Sequence, residues 1–134
     1  MADDQYWKSP TALEPRRNKV LIVEDDEYAQ EILKCYLKNF HAEVFLANNG
    51  QEALEIVNQI PDINLILMDI HMPVMDGLIA SSQIKTSHPH IPIIMETAYG
   101  NEFGQDHFIS YGCERLLRKP LSLKDFLQAV KDYL

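Results

Sequence analysis

The segment Asn64-Leu65-Ile66-Leu67-Met68-Asp69 decides how this chain folds. Four apolar residues run without a break and stop at a carboxylate. A strand with one wet face alternates apolar and polar residues, so an unbroken apolar run is expected to be buried on both faces. Val20-Leu21-Ile22-Val23 has the same character. Glu43-Val44-Phe45-Leu46, Ile91 to Met95 and the weaker run Cys113 to Leu117 complete the set.

Between these runs the apolar residues recur at helical spacing. Tyr28, Ile32, Cys35, Tyr36 and Phe40 form one expected helical face, and Ala53, Leu54, Val57 and Ile60 a second. Leu78, Ser81, Ser82 and Ile84 form a weaker third, and Phe103, His107, Phe108 and Tyr111 mark a fourth. The last is Leu123, Phe126, Leu127, Val130 and Leu134, preceded by Ser122 with Asp125 three positions on, a capping-box pattern. Asp26 is placed to cap the first helix. Strand then helix, five times over, predicts an α/β protein. Buried strands joined by long crossovers form a parallel sheet with helices on both faces. Functional residues in such sheets gather outside the carboxyl ends of the strands.

Those ends carry a chemically coherent set. Glu24-Asp25-Asp26-Glu27 follows the first strand, Asp69 the third, Thr97 the fourth, and Lys119-Pro120 the fifth. If the first and third strands are neighbours, Asp25 and Asp69 meet with Glu24 close by. Gathered carboxylates repel, and a positive group must offset them. Mg²⁺ suits, since it takes one or two carboxylates, waters and a substrate phosphate. No His/Cys set has zinc spacing. Lys119 supplies an ammonium and Thr97 a hydroxyl. Together with a metal they would answer the oxygens of a transferring phosphoryl group, with an aspartate as nucleophile.

This constellation resembles the response-regulator receiver domain of two-component signalling. The matching stretches are Val20 to Glu27, Leu65 to Gly77, Ile91 to Ala98 and Arg118-Lys119-Pro120, in family order. The likeness spans residues 19–134 and implies a CheY-like, flavodoxin-like (βα)5 fold with strand order 2-1-3-4-5. It implies Asp69 as phosphoacceptor, Asp25 as a direct metal ligand, Glu24 as a ligand through water, and the His71 backbone carbonyl as a further ligand. It implies Thr97 as the switch hydroxyl, and Lys119 as the partner of the phosphorylated aspartate. A cis Lys119–Pro120 bond would aim that lysine inward. Pro73 and Gly77 belong to the loop leading to the third helix. Mg²⁺, with Mn²⁺ as a substitute, is the implied cofactor. The implied partners are a sensor histidine kinase or a histidine phosphotransfer protein. The output target would meet the face of the fourth helix, fifth strand and fifth helix, and a homodimer is left open. Self-catalysed aspartyl phosphorylation with slow autodephosphorylation is expected, rather than the turnover of an ordinary enzyme.

The chain departs from the family pattern in places. Leu116 stands where an aromatic partner of the switch hydroxyl is usual. Glu96 stands where an apolar residue is usual, on the opposite side of its strand from Thr97. It is expected either to reach solvent at the sheet rim or to meet a basic partner, because a buried unpaired carboxylate costs several kcal/mol or takes up a proton. His71 and Tyr99 would flank the path of the attacking water and lengthen the life of the phosphoryl group. His88 and His90 read as solvated loop residues.

Composition narrows the alternatives. Twelve Lys and Arg against 20 Asp and Glu leave −8 over 134 residues, which disfavours a nucleic-acid-binding domain. One domain is the expected count, with residues 1–18 as a flexible arm and 19–134 as the receiver. The lone thiols Cys35 and Cys113 read as reduced and mostly buried, in a soluble cytoplasmic protein with no signal peptide or membrane span. No effector is expected after the fifth helix, whether the receiver stands alone or was cut from a longer protein. A flavodoxin-like carrier is disfavoured because the acidic cluster after strand one would repel a flavin phosphate. A haloacid-dehalogenase-like hydrolase fits Asp25 and Glu27 only loosely and lacks a cap domain. A pseudo-receiver scaffold, folded but never phosphorylated, is kept open by Leu116.

Overall fold

The computed structural model describes residues 18–72, 74–98 and 109–134. Its strands are β1 (Asn18–Val23), β2 (Ala42–Ala47), β3 (Leu65–Asp69), β4 (Ile93–Thr97) and β5 (Arg115–Arg118). Its helices are α1 (Glu27–Leu37), α2 (Gly50–Gln59), α3 (Gly77–Ser87) and α4 (Leu123–Val130), the last being the C-terminal helix of the sequence pattern. Among the described residues all strand pairings are parallel, in the order β2-β1-β3-β4-β5. The expected arm, the expected fourth helix, Pro73 and Tyr99 lie outside the described residues, apart from the last residue of the arm and the end of the helix.

Period-two alternation sorts each strand into two cores. Leu21, Val23, Ile66, Met68, Ile93 and Met95 face α2 and α3. Val20, Ile22, Leu65, Leu67, Ile94 and Leu117 face α1 and α4. Each buried aliphatic side chain stabilises by roughly 1.5–3 kcal/mol, which is why β3, and β1 from Val20 onward, carry no charge until their carboxyl ends.

Each of α1 to α4 begins on a side-chain cap. Asp26 Oδ2 accepts from Ala29 N at 3.0 Å and Ser122 Oγ from Asp125 N at 3.1 Å, at the two expected places. Asn49 caps α2 and Asp76 caps α3.

The structure corrects several expected faces. In α1 the buried residues are Gln30, Leu33 and Leu37, while Tyr28 is 76% exposed and Cys35 is exposed too. The 30-33-37 spacing satisfies the same helical period, and α1 turns that stripe to the sheet. In α3 the buried set is Gly77, Ala80, Ser81 and Ile84, and Ser82 faces solvent. In α4 Phe126, Ala129 and Val130 are buried, leaving Leu123 and Leu127 exposed. β2 is an edge strand and only half-buried, unlike the apolar run it was read from.

Candidate functional site

Four strands deliver a polar group to the same side of the sheet, the side covered by α1 and α4. Glu24 follows β1, Asp69 ends β3, Glu96 lies in β4 and Lys119 follows β5. Each is in step with an apolar residue two positions earlier that packs on that side: Ile22, Leu67, Ile94 and Leu117. Main-chain bonds carry the sheet up to and past these residues. Glu24 N donates to Ala47 O (3.0 Å), Ile70 N to Glu96 O (3.0 Å) and Lys119 N to Thr97 O (2.8 Å). The Lys119–Pro120 bond is cis, as the resemblance implied.

Glu24, Asp25 and Asp69 converge, with one carboxylate oxygen from each within 4.8 Å of the others. Glu24 is 2% exposed and Asp69 5%, whereas Asp25 is open to solvent. Lys119 Nζ donates to Glu24 Oε1 at 2.8 Å and lies 3.6 Å from Asp69 Oδ1. Glu24 Oε2 accepts from Asp26 N, and Asp69 Oδ1 from His71 N, each at 3.2 Å. Burial raises the Glu24 pKa; the hydrogen bond from Lys119 opposes this and the charge of Asp69 adds to it. Burial works to lower the Lys119 pKa, but the bond to Glu24 and the charge of Asp69 outweigh it and raise it. Three carboxylates against one ammonium leave an excess of negative charge on hard oxygen donors. That donor set fits a divalent cation such as Mg²⁺.

Thr97 is buried at the end of β4, with Oγ1 3.5 Å from His71 Nε2. Leu116 lies beside Met95 in register and packs, half-buried, against the core on the α2 and α3 side.

Glu96 is a correction. It neither reaches solvent nor forms an ion pair with a described basic residue. It is 1% exposed, and Oε2 has no hydrogen-bond partner among the described residues. Burial pushes its pKa up to about 8, with Lys119 pulling it down and Glu24 and Asp69 pushing it further up. The carboxyl takes up a proton because β4 buries all five of its residues, including the last two. Gln30 is a site residue the sequence reading missed. Its amide donates to Glu24 O at 2.6 Å and to Asn48 Oδ1 at 3.2 Å, pinning the chain where it leaves β1. The available signal was a polar residue in step with Leu33 and Leu37. His88 and His90 join no metal-ligand group among the described residues; they contact Ser87 and the Pro61 carbonyl.

A model of the family described as "response regulator receiver domain" matches residues 20–131. The transcriptional regulatory protein SrrA of Staphylococcus aureus is 34% identical over 114 residues, 85% of this chain and 46% of that protein. This chain thus spans about half the length of the curated relatives it matches. Among solved structures, one similar chain comes from the co-crystal of the Saccharomyces cerevisiae histidine phosphotransfer signaling protein Ypd1 with the receiver domain of the response regulator Ssk1. It has TM-score 0.79 and 29% identity, and covers 87% of this chain and 88% of its own. Another comes from the CheX–CheY–BeF3–Mg²⁺ complex of Borrelia burgdorferi, with TM-score 0.80, 28% identity, and coverage of 87% and 90%. The chain belongs to the response regulator receiver domain family. None of its described helices is long and apolar enough to cross a membrane.

Proposed function

We propose that the chain is a phosphoacceptor receiver in which Asp69 takes a phosphoryl group from a phosphohistidine and the domain then switches conformation. The supporting observation is the convergence of Glu24, Asp25 and Asp69 within 4.8 Å, with Lys119 Nζ at 2.8 and 3.6 Å from two of them. An Asp69 carboxylate oxygen attacks phosphorus, the P–N bond to the donor imidazole breaks, and the imidazole leaves with a proton. Asp25, Asp69 and the His71 backbone carbonyl would hold Mg²⁺, or Mn²⁺ in its place, with Glu24 acting through water. When bound, the cation supplies positive charge to the phosphoryl oxygens. Lys119 shifts from Glu24 toward the new group, which carries roughly one and a half to two negative charges in place of the single charge of the carboxylate. Thr97 supplies a hydroxyl donor and moves toward it. With Leu116 in the aromatic position, the signal leaves through the backbone rather than through a ring flip. His71 and Tyr99 slow the attacking water.

The donor would be a sensor histidine kinase or a histidine phosphotransfer protein of the kind crystallised with the Ssk1 receiver. The output face is that of β5, α4 and the segment expected as the fourth helix, which also serves a homodimer if one forms.

Incubation with acetyl phosphate and Mg²⁺, followed by intact mass spectrometry, tests the reading. Wild type should gain one phosphoryl group and Asp69→Asn none. Beryllofluoride with Mg²⁺ should shift wild-type amide resonances only. A wild type inert to both reagents, or an Asp69→Asn variant that labels equally, overturns it.

A further inference from the structure

On the α1 side of the sheet, beneath the acidic cluster, lies a cavity of about 140 Å³. Ala29 and Ile32 of α1 form one wall, Pro120 and Leu121 another, and Lys119 and Glu96 also line it. Its surface is largely apolar, yet it contains a carboxyl that is 1% exposed and has an unpartnered oxygen among the described residues. A buried polar atom without a partner is costly, and a ligand that hydrogen-bonds to it recovers that cost. The Lys119 ammonium is already engaged by Glu24 at 2.8 Å and drawn to Asp69 at 3.6 Å. At the Glu96 carboxyl the charge of Lys119 is felt most strongly, and those of Glu24 and Asp69 oppose it; two carboxylates against one ammonium, itself bonded to Glu24, leave a negative balance that favours a cation over an anion.

We propose that this cavity binds a small organic amine, its ammonium on the Glu96 carboxyl and its hydrocarbon body between the α1 wall and the Pro120–Leu121 wall. The size agrees: an apolar cavity of roughly 150 Å³ takes a benzene-sized molecule. An alcohol of the same skeleton would satisfy the carboxyl but gain nothing from the surrounding negative charge. A carboxylate would be repelled by it.

Isoamylamine, isoamyl alcohol and isovalerate are titrated separately into the ¹⁵N-labelled protein at one pH and ionic strength. No Mg²⁺ or phosphodonor is present, so the outcome is independent of the phosphoacceptor reading. Isoamylamine should give saturable shifts centred on Ala29, Ile32 and Leu121, with an affinity of roughly 1 mM, as befits so few atoms. Isoamyl alcohol should bind more weakly and isovalerate not at all. Glu96→Met, which removes the acceptor, should weaken amine binding about tenfold, the loss expected for a hydrogen bond to a charged group. Ala29→Leu, which fills the cavity, should abolish binding, and it carries the test alone if Glu96→Met does not fold. Absence of saturable shifts at the cavity, equal binding of all three compounds, or wild-type amine affinity in the folded variants overturns the proposal.

Discussion

Replacing Glu96 with glutamine removes a titration that the fold otherwise carries. The carboxyl is almost fully buried, which pushes its pKa up to about 8, against 4.5 for the ordinary side chain. An acid with a raised folded pKa binds its proton more tightly folded than unfolded. Its contribution to stability is fully present below the unfolded value and is lost as pH rises through about 8. At about 1.36 kcal/mol per pH unit the whole loss is about 5 kcal/mol, most of which falls between pH 5 and pH 8. Domains are stable by only about 5–15 kcal/mol, so this is a large share. Glutamine keeps the shape and stays neutral. Urea unfolding of wild type and Glu96→Gln, followed by far-ultraviolet circular dichroism in metal-free buffer at several pH values, measures it. Taking the difference between the two proteins removes the titrating groups that do not interact with Glu96. The variant should gain several kcal/mol on wild type between pH 5 and pH 8. Two parallel stability curves would refute the reasoning, because a carboxyl that ionises at the same pH folded and unfolded cannot be buried as described.

Lys119→Ala removes an ammonium 2.8 Å from Glu24 and 3.6 Å from Asp69. Mg²⁺ affinity, measured by calorimetric titration, should rise roughly tenfold as this competing charge goes, while acetyl phosphate labelling falls. Unchanged or weaker Mg²⁺ binding would count against the pairing. A Cβ at Gly77 would meet the Asp69 carbonyl oxygen and come 2.8 Å from Ile70 Cα, both rigid backbone. Gly77→Ala should therefore cost about 1–3 kcal/mol in urea unfolding and weaken beryllofluoride binding, because the loop after Asp69 must move. Ser122→Ala removes the cap of α4, and about 1 kcal/mol of stability should go with it; an unchanged midpoint would mean that α4 is held by packing alone.

The fold and the acidic site were legible for one reason. β3, and β1 from Val20 onward, are apolar until they emerge, so Glu24, Asp25 and Asp69 announce themselves by where those runs stop, and Lys119 follows the shorter run of β5. What the sequence hid was rotation and depth. A helical period constrains a face only to within a residue or so, and α1 chose Gln30, Leu33 and Leu37 over Tyr28 and Cys35. That rotation also brought the Gln30 amide to the Glu24 carbonyl. Depth misled at Glu96. One residue before the end of β4, it shares the side of Asp69 and Lys119, where α1 closes over the sheet. The pairing of Lys119 with Glu24 at 2.8 Å, ahead of Asp69 at 3.6 Å, is likewise set by three dimensions.

The main-chain bonds at the strand ends have a consequence for how such a site can change over time. Ala47, Glu96 and Thr97 hold the backbone of Glu24, Ile70 and Lys119 through carbonyl oxygens, which every amino acid possesses. Where each group is displayed is thus set separately from which group is displayed. Substitutions at these points can retune reactivity, lifetime or metal preference without first rebuilding the platform beneath them. Gly77 is the exception: its Cα is wedged against Asp69 and Ile70, so drift at that position would disturb the platform as well as the chemistry.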